Sequence, residues 1–144
     1  MKLTRTLRGK VRPENPITGD TGKERLIVED GRLTDGWKVT GFDVFATNAM
    51  APDVQGILSI DEDGLTGGFD ASDNRQIGWS FMFVGTAGAA TASWLVPDHV
   101  ILRDLWIQNF SGETMNYIVE VQRQTLTEDQ AILALIQERS QDDL

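Results

Sequence analysis

The sequence predicts a mainly β fold: an antiparallel β-sandwich of about eight short strands with one short C-terminal α-helix. Three observations lead to this prediction. Apolar and polar residues alternate with a period of two in several short runs. Turn residues separate these runs at fairly regular intervals, and a helical pattern occurs only near the end of the chain. This order is typical of a sandwich or barrel and not of a protein in which strands and helices alternate.

The length and composition are compatible with one folded domain. A chain of 144 residues can bury a full hydrophobic core. It contains no cysteine, which excludes disulfide bonds and thiolate metal sites. No apolar run approaches the roughly 18 residues of a membrane-spanning helix. The basic start is not followed by the apolar core of a signal peptide, so we expect a soluble protein that is intracellular at synthesis.

In the first half of the chain, "RLIVED" predicts a short strand after a Pro- and Gly-rich loop at 12–22. In the next strand, Trp37 and Val39 share one face, whereas Phe42 and Val44 continue that face one residue out of phase. One extra residue reverses the facing of everything beyond it, so we expect a β-bulge at Gly41.

The middle of the chain predicts two further strands. "GILSI" is the first, and a long acidic, Gly-rich loop follows it. The second is "NRQIGWSFMFVG", in which four bulky residues are predicted to share one face: Ile77, Trp79, Phe81 and Phe83. The core is the expected place of Trp79. "TAGAATAS" is interpreted as a small-residue linker or bend.

The last third predicts a β-hairpin and then a helix. Residues 100–124, "VILRDLWIQNFSGETMNYIVEVQRQ", form the predicted hairpin, with "NFSGET" as its loop. Thr127 and Gln130 then form a capping box. The apolar stripe of the helix contains Ile132, Leu135 and Ile136. At about 12 residues this helix is too short to be stable without packing against the sandwich or another subunit.

The charge is unevenly distributed. The net charge is −9, yet residues 1–12 carry five bases and no acid, which leaves 8 bases and 22 acids for the remainder. Such a start is either an arm that reaches an acidic surface or a polar first strand. We divide the chain into a basic N-terminal arm and loop (1–22), a β-sandwich core (23–126) and a capped helix and tail (127–144).

No catalytic or metal-binding pattern stands out. His99 with Ser80 or Ser93 and Asp98 lacks the nucleophile elbow of a serine hydrolase. The acidic loop does not fit the EF-hand spacing for calcium, and its carboxylates are interpreted as solvated: Asp61, Glu62, Asp63, Asp70 and Asp73. We therefore expect no enzyme activity, no cofactor and no metal.

The four tryptophans favour packing over ligand binding. Trp106 is out of phase with its apolar neighbours Leu105 and Ile107, so we expect it to be exposed or at a subunit contact. A sugar-stacking platform that contains Trp94 or Trp106 is the less favoured interpretation.

Three segments carry a resemblance: "MKLTRTLRGKVRPENPITGD", "FDASDNRQIGW" and the stretch from Asp98 to Gln141. They resemble small structural proteins of marine bacteriophages. The resemblance implies a non-catalytic, jelly-roll-like virion component, such as a capsid, penton, decoration or spike-base protein, made in the host cytoplasm. It also implies a basic N-terminal arm; residues 1–12 would fill that role, although they are few and weakly charged.

The expected function is therefore a structural protein of a virus particle that assembles with itself and with other virion proteins. Nucleic acid would be contacted only through the N-terminal arm. The expected assembly contacts are Lys2, Arg5, Arg8, Lys10, Arg12, Trp106, Ile132, Leu135 and Ile136. Two alternatives stay open: a carbohydrate-binding sandwich that holds calcium at the acidic loop, and a phage tail or portal accessory protein.

Overall fold

The computed structural model describes residues 3–28, 35–47, 53–65, 68–85, 88–96, 99–101 and 104–125, with the single positions 127, 129, 130, 132, 133 and 136. The described residues form eight strands: β1 (Thr4–Val11), β2 (Lys23–Ile27), β3 (Asp35–Ala46), β4 (Val54–Ser59), β5 (Gln76–Gly85), β6 (Gly88–Leu95), β7 (Asp104–Asn109) and β8 (Met115–Thr125). A 3₁₀ turn, Glu62–Leu65, follows β4. No helix in this part of the chain is long and apolar enough to cross a membrane.

The eight strands form two antiparallel sheets. One sheet has the order β1-β8-β3 and the other has the order β2-β7-β4-β5-β6. The two sheets face each other, because one buried cluster contains Phe42 and Val119 from the first and Leu58 and Ile107 from the second. The predicted antiparallel β-sandwich of about eight strands is confirmed.

The irregularity predicted in β3 is confirmed. The register of β3 against β8 shifts between Val39 and Gly41, which leaves Thr40 as the extra residue. Because of this bulge, Trp37 and Val39 on one side of it and Phe42 on the other all point into the core.

The predicted hairpin at 100–124 is wrong. Both of its strands exist, but β7 pairs with β2 and β4 whereas β8 pairs with β1 and β3, so the chain crosses from one sheet to the other between them. Asn109 fixes the crossing: its amide donates to Val11 O at 2.9 Å and to Glu113 O at 2.6 Å. A period-two pattern shows which residues share a face, but it does not show whether the next strand joins the same sheet.

The segment predicted as a linker is also a strand. Most of "TAGAATAS" lies in β6, which pairs with β5 from Gly85↔Gly88 to Gly78↔Leu95. Its small residues have a low β propensity, so the sequence did not predict a strand here. Pairing with β5 is what makes this segment a strand.

The basic N-terminal segment is part of the sandwich. Residues 4–11 are a strand of the three-stranded sheet, paired with β8 from Thr4↔Gln122 to Val11↔Met115. The C-terminal α-helix is not among the described elements, and most of its predicted residues lie outside them. The capping contacts are present: Thr127 N–H donates to Gln130 Oε1 at 3.0 Å, and Gln130 N–H donates to Thr127 Oγ1 at 3.2 Å.

Candidate assembly surfaces

On the face of β5 that points into the sandwich, the residues next to β3 have small side chains. Gly78 and Ser80 lie against β3 there: a Cβ on Gly78 would lie 3.2 Å from a ring carbon of Phe42, and Ser80 Oγ accepts a hydrogen bond from Val44 N–H at 3.2 Å. The bulky residues on the opposite side of β5 therefore face outward. Ile77 does not share their face, because a register shift against β4 places it in the main core.

Three hydroxyl and carboxylate groups join β3, β5 and β6. Ser80 and Ser93 hydrogen-bond to each other at 2.8 Å, and Ser93 donates to Asp43 at 3.0 Å. Both serines considered as nucleophiles thus have structural partners. Burial lowers the pKa of His99 below its usual value. Asp98, the third residue considered, lies outside the described residues.

The outward face near Trp79 is covered by the acidic loop. Trp79 forms a second buried cluster with Ile57 and Leu65, and Trp106 packs against it. Gln76 is only 2% exposed and fastens the loop over this cluster. Its Oε1 accepts from Trp79 Nε1 at 2.7 Å and from Asp70 N–H at 2.9 Å. Its Nε2 donates to the carbonyl oxygens of Gly64 and Gly68.

The loop carboxylates act as hydrogen-bond acceptors within the loop. Asp61 Oδ1 accepts from Asp63 N–H, and Asp70 Oδ1 accepts from Ser72 N–H, both at 3.0 Å. The hydrogen bond and charge of Arg75, 2.9 Å away, lower the pKa of Asp73. Within the described ranges, no group of three or more His, Cys, Asp or Glu side chains is placed to hold a metal ion.

Beyond the loop, the outer face of β5 and β6 carries three aromatic rings, which we call the aromatic patch: half-buried Phe81 and exposed Phe83 and Trp94. Phe83 is 49% exposed and Trp94 is 53% exposed. The rings of Phe81 and Trp94 lie 5.7 Å apart with an interplanar angle of 33°. Residues 76–96 contain no Asp, Glu, Lys or Arg, although the chain has 13 bases and 22 acids. The two strands that carry the aromatic patch therefore contain no charged residue of their own.

The basic residues of β1 point to both sides of their sheet. Arg5 faces inward, with its guanidinium 5.3 Å from the centre of the Trp37 ring. Arg8 and Lys10 are exposed on the outer face, where they line a shallow cleft of about 420 Å³ with Phe45 and Ile118. Arg12 is exposed just after the strand, and Lys2 lies outside the described residues.

The predicted assembly contacts do not form one site. Trp106 is half-buried on the outer face of the five-stranded sheet, whereas Arg8 and Lys10 lie on the outer face of the other sheet. Ile132 and Ile136 are more than half exposed, and Leu135 lies outside the described residues.

Sequence reasoning missed Phe83 as a surface residue. The signal that identifies this surface is the absence of charge over 76–96, because a strand pattern alone does not show which face is outward.

No protein-family model, no curated protein and no solved structure matches this chain.

Proposed function

We propose that this chain is a non-catalytic structural protein of a virus particle that assembles with copies of itself through its subunit surfaces. The observation that carries the proposal is the aromatic patch, which lies on the outer face of β5 and β6, two strands that contain no charged residue. Exposed aromatic surface of this kind marks sites of protein–protein contact, where aromatic side chains are enriched and charged ones are depleted.

The strand order supports a jelly roll. In that fold the chain behaves as one long hairpin rolled up, so that strands pair first with eighth, second with seventh, third with sixth and fourth with fifth. Three of these pairs are present as backbone ladders: β1 with β8, β2 with β7 and β4 with β5. The remaining pair, β3 with β6, is not a backbone ladder: β6 pairs with β5 in the other sheet, and the side-chain hydrogen bond from Ser93 to Asp43 links it to β3.

A jelly roll alone does not select a function. Viral capsid domains, lectins and cupins all have this architecture. The resemblance of the sequence to phage structural proteins favours the first of these classes, and the surface chemistry separates it from the second.

Carbohydrate binding is the second candidate, because exposed Trp94 beside Phe81 offers a stacking surface. A sugar site also needs a few polar groups that converge beside the rings to fix the hydroxyls. Across the strand pair, the residues opposite Phe81 and Phe83 on the same face are Ala92 and Ala90. Methyl groups complement another apolar surface, so subunit contact is favoured.

The oligomeric state tests the proposal. Light scattering and native mass spectrometry between about 1 and 100 μM should show a discrete oligomer, and electron microscopy should show closed symmetric particles or rings. Phe83→Asp should weaken assembly. Its matched control is Phe45→Asp, a comparably exposed phenylalanine on the outer face of the other sheet. A wild-type chain that stays monomeric over this range, or that binds glycans through Trp94, would contradict the proposal.

A further inference from the structure

Among the described strands, β6 lies at an open edge of its sheet. It forms one end of the five-stranded sheet, and no other described strand pairs with its outer side. Proteins usually protect such an edge with charged residues, proline or a bulge, since exposed N–H and C=O groups can pair with another chain. The β6 sequence, GAATASWL, has neither charge nor proline, and its register against β5 is continuous. The strand itself therefore carries none of these protective features.

The hydrogen bonds of β5 show which β6 groups face outward. Val84 N–H donates to Asp53 Oδ1 at 3.0 Å instead of to β6, so Val84 and its partner Ala89 form a non-hydrogen-bonded pair. Pair types alternate along an antiparallel ladder. The backbone N–H and C=O groups of Ala89, Thr91 and Ser93 consequently point away from β5. They present three successive donor–acceptor sets along one edge.

We infer that β6 pairs antiparallel with β6 of a second copy of this chain, about a twofold axis at Thr91, so that two five-stranded sheets become one continuous sheet. The inference rests on the proposed function, for which it specifies the subunit contact. An antiparallel edge is self-complementary, since residues on either side of a twofold axis exchange the same hydrogen bonds.

Charge favours a second copy as the occupant. Each copy has a net charge of −9, so the repulsion between two copies is smallest when the contact is made by a segment that brings no charged side chain. Residues 76–96 are such a segment. A basic partner would instead match the acidic surfaces elsewhere on the chain.

The side chains also match in this register. With Thr91 opposite Thr91 of the second copy, Ala90 lies opposite Ala92 and Gly88 lies opposite Trp94 on the outer face. A Cβ placed on Gly88 would meet nothing within 4 Å, so open space is available above this glycine for the indole ring. The pairing brings both aromatic patches together across the axis. Their exposed rings supply roughly 200 Å² per copy, and the strand edge adds to this toward the standard of about 800 Å².

A single engineered cysteine tests the register directly, because the natural chain has none. Opposite residues of a hydrogen-bonded antiparallel pair have Cα atoms about 5.5 Å apart, within the range that a disulfide bridges. Under mild oxidation, Thr91→Cys should form a covalent dimer at least tenfold faster than Ser72→Cys, an exposed loop control. Equal rates for the two variants would overturn the inference.

A second pair of variants tests the hydrogen bonds. Thr91→Pro removes an N–H that β5 does not use, so the sandwich should fold and melt as before while the dimer dissociation constant rises at least tenfold. Thr91→Lys should act in the same direction by placing like charges at the axis. A wild-type oligomer that neither variant weakens would overturn the β6 pairing but leave the proposed function standing. A monomeric wild type would instead contradict the proposed function.

Discussion

At the scale of single residues, Tyr117 shows how β1 and β8 fit together. It points into the core from β8 and lies directly across from Gly9 of β1. A Cβ at Gly9 would lie 2.8 Å from the Tyr117 hydroxyl oxygen, so only glycine leaves room for the phenol. Burial raises the pKa of Tyr117 to about 12, and the negative charge of Glu24 adds to this rise.

The raised pKa of Tyr117 predicts a loss of stability at alkaline pH. An unfolded tyrosine loses its proton near pH 10, whereas the folded protein holds it to about pH 12. Between these values the unfolded state binds fewer protons, so the free energy of unfolding falls as the pH rises. We expect a fall of roughly 1–3 kcal/mol that Tyr117→Phe does not show.

Denaturant unfolding at a series of pH values measures this effect. Tyr117 is the only tyrosine of the chain, so phenolate absorbance reports its titration without interference from another tyrosine. The stability of the wild type and that of Tyr117→Phe should differ by a constant below about pH 9 and converge or cross above it. Parallel curves up to pH 12 would show that the phenol titrates alike in both states.

At the scale of the elements, glycines on the inner strand faces set the distance between the two sheets. Gly56 of β4 is buried opposite β3 and β8, and a Cβ there would lie 2.8 Å from Val44 Cγ1 and 3.0 Å from Met115 Cε. Gly78 of β5 has the same role against Phe42. The side chains of β3 and β8 fill the space that these two glycines leave.

Gly56→Ala should therefore overpack the core and destabilise the protein by about 1–3 kcal/mol. Gly112→Ala is the matched control, since nothing lies within 4 Å of its added Cβ and its φ is not positive. The control should be neutral or stabilising by up to about 1 kcal/mol, because alanine restricts the unfolded chain. Chemical denaturation measures both changes in the free energy of unfolding. Equal effects would mean that the two sheets move apart to accommodate the added methyl group at no cost in stability.

These elements also show what a sequence can predict. The bulge in β3 was predictable because the phase of Trp37 and Val39 against Phe42 is a local property of one strand. The partners of β7 and β8 were not, because pairing depends on residues far away along the chain. The outward face of β5 was missed for a related reason: the small side of a strand faces inward wherever another sheet approaches closely, and Gly78 alone does not reveal that approach.

For the candidate surface too, the local sequence pattern was predictable, whereas its position in the fold was not. The absence of charge over 76–96 is visible in the sequence, but its meaning depends on β6 being a strand at a sheet edge. The basic start was predicted to be either an arm or a polar strand. Its alternating burial could be known only once β8 was known to be its partner.

At the scale of the whole molecule, β1 completes the three-stranded sheet. Its inward residues Leu7 and Val11 pack in the core, and Val11 O accepts the Asn109 amide that fixes the crossing between the sheets. Its outward residues Arg8 and Lys10 are exposed. Apart from Arg5, which faces inward over Trp37, the charge of this segment lies on the face opposite to its packing residues, so the two can be tested separately.

Deleting residues 1–12 should unfold or severely destabilise the sandwich. Burial of Val11 contributes about 1.5–3 kcal/mol and the partial burial of Leu7 adds a smaller amount, and the deletion also exposes the backbone edge of β8. That loss is a large part of the 5–15 kcal/mol typical of a whole domain. The double variant Arg8→Gln/Lys10→Gln removes charge but no packing, so its stability should change by no more than about 1 kcal/mol. Circular dichroism melting compares the two. A truncated chain that melts like the wild type would mean that β1 is dispensable for folding.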